Sequence, residues 1–402
     1  MQTKIDSKIS EEIFQWPIGF YSDATAAGIK PGKKDMGWIY SQSPASAAGV
    51  YTTNQFQAAP TALTKETINT SHKLQALIMN SGIANSCTGV QGQKDALAMQ
   101  KMAAKGLSID PSLVGVASTG VIGEFLPVDL LSKAVTKLKL TDSTDLTKAI
   151  LTTDKRPKTI TIKMQIGQTQ VTMTGFCKGS GMINPRLATM LGFITTDAKI
   201  DGELLQKTLS AGVDDTFNQI TVDGDTSTND MVVVMANGEA KNPAIQQGSE
   251  DYETFTTGLN KVLSHLAQAI AGDGEGSTKL VQADVTGAKS HFDAQKAAKA
   301  VVGSNLVKAM IFGADANWGR VLAAIGKTDV DLDVDGVSIS INGYPMVKNS
   351  QALAIDETPI SESLKNPKVE IHVDLGVGNE SGTAWGCDLT YKYVQINASY
   401  RS

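Results

Sequence analysis

The sequence predicts an α/β protein in which mixed, largely antiparallel sheets are layered with helices, together with one or more smaller additional lobes. Three observations lead there. Strand-period and helix-period segments interleave along the whole 402 residues. Thr159 to Gly175 alternates strictly, turns at Gly167 and alternates again, which predicts a hairpin. The tail segments 329–342 and 367–376 alternate Val and Ile with polar residues, as antiparallel sheet does. A chain of this length exceeds one typical core, so two or three lobes are expected.

In chain order, Gly37-Trp38-Ile39-Tyr40 and Ala48-Gly49-Val50-Tyr51 read as short strands, and Gln75 to Asn80 as a buried strand ending in the turn Ser81 to Asn85. Lys94 to Lys105 has helical spacing, Leu113 to Ser118 is a strand, and 128–138 returns to helix. After the hairpin come helices at 203–220 and 254–271, separated by the strand Met231 to Met235. The polar stretch Asn237 to Glu250 reads as a loop. Ala283 to Thr286 is a strand, 294–302 a helix, and the short apolar run Lys308 to Phe312 a further strand.

Hydrophobic residues make up 41% and charged residues 19%, enough to bury a large core. A net charge of −5 disfavours nucleic acid or an anionic membrane as main partner, because both reward a basic surface. Neither a signal peptide nor a membrane span is legible. Cys87, Cys177 and Cys387 are odd in number and widely spaced, which reads as reduced thiols in a cytoplasmic protein rather than disulfides or a zinc site. The histidines (His72, His265, His291 and His372) lie outside every glycine-bounded cluster, so Ser-His-Asp, Cys-His and metal designs are poorly supported.

Several glycine-punctuated clusters carry candidate chemistry. Ser118-Thr119-Gly120-Val121-Ile122-Gly123 offers a hydroxyl and backbone amides for a tetrahedral oxyanion, or a plain strand-to-helix turn capped by Thr119. Val222 to Asp230 packs three aspartates into a stretch that lacks calcium-loop spacing and reads as a solvated, capped turn. Gly272 to Lys279 crowds Glu275 among glycines, suiting an ammonium ligand or a turn. Gly313 to Arg320 suits a carboxylate ligand or a structural corner. Lys178-Gly179-Ser180-Gly181-Met182-Ile183-Asn184-Pro185-Arg186-Leu187-Ala188-Thr189-Met190-Leu191 places an Ala-Thr bond after a lysine and two glycines. On its own the end of that run reads as buried helix. Cut at Ala188–Thr189, it yields an amino-terminal threonine whose α-amine can serve as base to its own hydroxyl.

Together, and in this order along nearly the whole chain, these clusters resemble the glutamate N-acetyltransferase family of arginine biosynthesis, also called ornithine acetyltransferase. The resemblance adds Met79 to Asn85, Thr152-Thr153-Asp154 and the tail Ile396 to Tyr400. It implies a self-processing enzyme of amino-terminal-nucleophile type, cut between Ala188 and Thr189. The resulting α chain, 1–188, and β chain, 189–402, would co-fold, share one site and pair as two α and two β chains. By the same resemblance Thr189 is the acyl-carrying nucleophile, Thr119 and Gly120 form the oxyanion hole, and Thr152, Lys178, Thr189, Glu275, Asn397 and Ser402 contact substrate.

The implied reaction is acetyl transfer from N-acetylornithine to glutamate through acetyl-Thr189. It needs no metal or cofactor, and acetyl-CoA enters only as a second acetyl donor, which the motifs leave open. Asn184 and Arg186 depart from the family's residues on either side of the proline. Two other classes stay in view: an amidase or aminopeptidase using the same self-cut threonine with water as acceptor, and a non-catalytic binding protein that keeps the fold without cleavage.

Overall fold

The computed structural model describes Ile5, residues 8–184 and residues 190–399. The expected cut at Ala188–Thr189, together with Arg186 and Ser402, lies outside the described residues. The chain divides into two compact units. The first comprises Met1–Gly179, Arg186–Asp214 and Thr226–Leu266; the second comprises Ser180–Pro185, Asp215–Asp225 and Ala267–Ser402.

The first unit is built from β1 (Ile9–Glu12), β2 (Phe20–Thr25), β3 (Met36–Tyr51), α1 (Ala59–Ser71), β4 (Lys73–Ile83), α2 (Gly89–Leu107), β5 (Val114–Val121), α3 (Val128–Val135), β6 (Lys158–Ile166), β7 (Thr169–Lys178), β8 (Leu191–Thr196), α4 (Gly202–Asp214) and β9 (Met231–Ala236). The helix α5 (Glu250–Ala271) closes it and leads the chain onward. Its strands form a nine-stranded sheet in the order β1-β6-β7-β8-β9-β3-β4-β5, with β2 also paired to β3. Among the described strands of this sheet, β4–β5 and β8–β9 pair in parallel and the other pairings are antiparallel.

Both faces of the sheet are covered, which explains why its central strands read as continuous apolar runs. Along β4, Leu77 and Met79 enter a core with Phe176, Phe193 and Met235. Their alternating neighbours Ala76 and Ile78 enter another with Met99 and Ala103 of α2 and Leu131 of α3. The two short strands expected at 37–40 and 48–51 are parts of one 16-residue strand whose pairing with β4 shifts between Tyr40 and Ala45.

The second unit contains β10 (Leu280–Ala288), α6 (His291–Val302), α7 (Asn305–Phe312), α8 (Gly319–Gly326), β11 (Ser338–Ile341), β12 (Tyr344–Lys348), β13 (Gln351–Ala352), β14 (Lys368–Asp374), β15 (Glu380–Cys387) and α9 (Tyr391–Ala398). Its sheet runs β13-β12-β11-β14-β10-β15, antiparallel except for β10–β14. On α6 the buried residues Ala294, Ala297, Ala298, Val301 and Val302 follow helical spacing and face this sheet's core.

The mixed, mainly antiparallel α/β class holds, and three element readings are corrected. Lys308 to Phe312 is helical, because Val307, Met310 and Ile311 are buried at helical spacing and the Ser304 hydroxyl accepts the Val307 amide as cap. A five-residue apolar run carries too few periods to separate helix from strand. The helix expected over 203–220 ends at Asp214, and a single 3₁₀ turn follows at Phe217–Gln219. Of 329–342 only Ser338–Ile341 is strand, because the preceding residues turn, with the Gly336 amide bonded to the Asp333 carbonyl. No helix among the described residues is long and apolar enough to cross a membrane.

Candidate functional site

Parallel pairing of β4 with β5 sets Ser81 beside Thr119 and Gly82 beside Gly120 at one end of the first unit's sheet. Gly82 and Gly120 adopt φ of +105° and +135°, open to glycine and strained for other residues. A Cβ on Gly120 would lie 2.6 Å from the Ile83 nitrogen and closer still to the Gly82 carbonyl group. Thr119 therefore lies inside β5, against the reading of it as a helix cap. The strand ends are locked from below: the Ser118 hydroxyl donates to Asn80 Oδ1 (2.6 Å), and Asn229 Nδ2 donates to the carbonyls of Ala84 (2.6 Å) and Ser118 (2.9 Å).

Lys178 ends β7, and its Nζ donates to Thr119 Oγ1 at 3.2 Å. An ammonium has no acceptor capacity, so it occupies a lone pair of Thr119 and leaves the hydroxyl proton available to a further acceptor. Behind this pair stands Asp154. Its Oδ1 accepts from Lys158 Nζ (2.6 Å) and the Gly179 amide (2.7 Å), and its Oδ2 from the Thr152 amide (3.2 Å). Burial works against the Asp154 charge, but Lys178, Lys158 and the Gly179 amide outweigh it and hold the carboxyl at about 2. The first unit thus gathers Thr152, Lys158, Lys178 and Gly179 around one buried carboxylate, with Thr119, next to Gly120, bonded to Lys178.

That carboxylate has a measurable consequence. Its folded value lies below the ordinary 3.8, so the stability it contributes is present above pH 4 and lost as pH falls toward 2. The depression corresponds to about 2 kcal/mol. Asp154→Asn strands the fully buried Lys158 ammonium away from its carboxylate, and about 3 kcal/mol of unfolding free energy is expected to disappear at pH 7. Urea melts of both proteins at pH 7 and pH 3 check this; a gap that fails to narrow at pH 3 refutes the assignment.

The second unit holds two further predicted contacts, Glu275 and Asn397. Glu275 is buried, and its Oε2 accepts from Asn397 Nδ2 of α9 at 2.8 Å. Its backbone amide donates to the Ser180 carbonyl (2.9 Å), and the Ser180 hydroxyl returns a bond to the Asp273 carbonyl (2.8 Å). Gly181 is required here for close approach, since a Cβ would fall 2.5 Å from the Glu275 carboxylate. Asp223 accepts the amides of Met182 (2.7 Å) and Ile183 (2.9 Å), and Asn184 Nδ2 donates to the Gly224 carbonyl (2.9 Å). The departure at Asn184 therefore serves as a structural tie. Burial, Asp223 and Glu275 push the Tyr393 hydroxyl upward.

Two groups escaped the sequence reading. Asp230, which the sequence places in a solvated turn, is buried immediately before β9; its Oδ2 has no hydrogen-bond partner among the described residues, and burial raises its carboxyl well above the ordinary value. Lys30, in a loop with no motif, donates Nζ to the carbonyls of Ala149 (2.8 Å) and Leu151 (2.9 Å). The Gly313 to Arg320 cluster proves a corner between α7 and α8, where Arg320 Nη1 donates to the Leu306 carbonyl (2.9 Å). A groove of about 570 Å³ beside α1 and α2, lined by Phe56, Leu63, Cys87 and Leu97, includes none of the predicted site residues.

Residues 21–402 match the model of the ArgJ family. The "Arginine biosynthesis bifunctional protein ArgJ" of Lactiplantibacillus plantarum is 55% identical over 402 residues, covering all of both chains. The protein of the same name from Streptococcus thermophilus is 51% identical over 396 residues, 98% of this chain and 100% of that one. Among solved structures, a crystal structure of the ArgJ bifunctional protein from Bacillus halodurans is 49% identical with a TM-score of 0.52. It covers 53% of this chain and 100% of its own.

Proposed function

The chain belongs to the ArgJ family, and on that premise we propose that it transfers acetyl from N-acetyl-L-ornithine to L-glutamate through an acetyl ester on Thr189. Family membership makes it an acetyl-transferring enzyme of arginine biosynthesis. The observation that carries the finer reading is the Lys178–Thr119 bond beside Gly120, which leaves a hydroxyl proton and a glycine turn to receive an oxyanion.

In this reading the precursor first cuts itself at Ala188–Thr189. The fragment 189–402 spans 214 of 402 residues, or 53%, the share that the full-length match to the B. halodurans chain covers. Strands β7 and β9 from either side of the cut flank β8, so the fragments remain one fold. The freed α-amine, with a reference pKa of roughly 7.7–8.0, takes the Thr189 hydroxyl proton. The oxygen attacks the acetyl carbonyl, Thr119 and Gly120 steady the negative oxygen, and ornithine leaves with the proton. The amine of glutamate then attacks the ester, regenerating the hydroxyl and releasing N-acetylglutamate.

By the family resemblance Thr152, Lys178, Glu275, Asn397 and Ser402 contact substrate, and within the second unit Asn397 orients the Glu275 carboxylate. No metal or cofactor enters. The relatives' name, bifunctional, supports acetyl-CoA as a second donor to the same hydroxyl. We assign two α and two β chains to the assembly and the cytoplasm as its place, where three cysteines outside any disulfide stay reduced.

Incubation with N-acetylornithine, with and without glutamate, tests the reading. N-acetylglutamate should form only when glutamate is present, with ornithine turning over beside it; without glutamate, ornithine should stop at one equivalent per site. Free acetate released equally fast in both tubes would assign the chain to the amidase class instead.

A further inference from the structure

Residues 27–35 form a loop folded around the buried carboxylate of Asp35. Its Oδ1 accepts the Ala27 amide (2.6 Å) and its Oδ2 the Lys30 amide (2.8 Å), while its carbonyl accepts the Ser81 amide (2.8 Å) at the end of β4. The loop lies against the Gly82 turn, where an added Cβ would meet Ile29 Cγ2 at 2.5 Å and Lys30 Cγ at 3.3 Å. From there the Lys30 ammonium reaches the carbonyls of Ala149 and Leu151, two residues 119 and 121 positions away. The Ser81 hydroxyl joins it on the Ala149 carbonyl at 2.5 Å. Leu151 is followed directly by Thr152 and then by Asp154, whose carboxylate ties Thr152, Lys158 and Gly179 together.

We propose that Lys30 is a positioning residue whose ammonium pins segment 149–154, and with it Thr152 and Asp154, against the strand ends that carry Thr119 and Lys178. This deepens the proposed transferase reading, since the pinned segment supplies a substrate contact in it. The tie is charge-assisted and spans the base of the site through backbone carbonyls, so it sets geometry without touching substrate.

Its electrostatic surroundings make the tie titratable. Burial lowers the Lys30 ammonium to about 8; Lys33 and Lys178 push the same way, and Asp35 and Asp154 oppose them. Below pH 8 the group is charged and the two carbonyl bonds are strong; above it the proton leaves and they weaken. Arginine at this position would stay charged throughout.

Hydrogen–deuterium exchange on the full chain reads the pinning independently of activity. Lys30→Met should speed exchange of the 149–158 amides about tenfold, the scale of one lost charge-assisted bond, while β4 and β5 amides keep wild-type protection. In the transferase assay the same variant should raise KM for N-acetylornithine about tenfold with kcat within about twofold. Wild-type KM should climb as pH passes 8, and Lys30→Arg should hold a flat KM through that range. Unchanged exchange at 149–158 in Lys30→Met, or superimposable KM–pH profiles for wild type and Lys30→Arg, overturns the proposal. If wild type performs no transfer while the exchange result holds, the transferase reading fails and the positioning role stands. If Lys30→Met does not fold, the Lys30→Arg profile decides alone.

Discussion

Thr189→Ala is expected to remain a single polypeptide of 42.4 kDa and to lose acetyl transfer by a factor on the order of 10⁴ or more. One hydroxyl carries both outcomes. In the proposed mechanism it attacks first the Ala188 carbonyl of the precursor and then the acetyl group of the substrate, so its removal leaves neither step a nucleophile. Thr189→Ser keeps the oxygen and should cut and transfer more slowly. Mass spectrometry of denatured protein distinguishes these cases, because it reports the fragment termini and any acetyl adduct. Wild-type protein found at full mass after prolonged incubation would end the self-cleavage reading, whatever the variant does.

Gly120→Ala should lower unfolding free energy by about 3 kcal/mol and kcat by on the order of 10²–10³. Both effects come from one atom. A Cβ at φ +135° is strained, and here it also collides with the backbone of Gly82 and Ile83 in the neighbouring strand. Backbone held in strand pairing cannot step aside as a side chain can. Gly82→Ala provides the contrast, since the atoms nearest its new Cβ belong to the Ile29 and Lys30 side chains, and it should be milder. Urea melts and steady-state kinetics on both variants measure this. A Gly120→Ala enzyme with wild-type kcat would remove Gly120 from the oxyanion assignment.

How much of this was legible depended on whether the deciding partner lay near in sequence. The β6–β7 hairpin was readable because its strands pair across a two-residue turn and alternate in plain view. The turn at Ser118 to Gly123 was readable because glycine marks the strained backbone directly. Glu275 stood out among its glycines, and the structure explains Gly181 as the room its carboxylate needs. By contrast, β8 is buried on both faces, so Leu191 to Thr196 shows no alternation, and the residues leading into it read locally as helix. Asp230 shares its nine-residue run with Asp223 and Asp225, which stay partly or fully exposed, and no residue pattern there marks it as the aspartate that goes under. Lys30 was invisible for a simpler reason: its partners are backbone carbonyls more than a hundred residues away, and a carbonyl has no sequence signature.

The place of β8 between β7 and β9 carries a consequence for the protein's thermal history. Before cleavage, the strand on each side of it is joined to it by one covalent chain, and refolding is a first-order event. With the proposed cut at 188–189 made, the same sheet would have to reassemble from two separate molecules, so recovery from denaturation would become second order and depend on protein concentration. The mature enzyme would then owe its persistence to slow unfolding rather than to ready renaturation. Diluting a heat-treated sample should reduce the fraction that regains activity, whereas uncut Thr189→Ala should recover its native circular dichroism equally well at every concentration below aggregation.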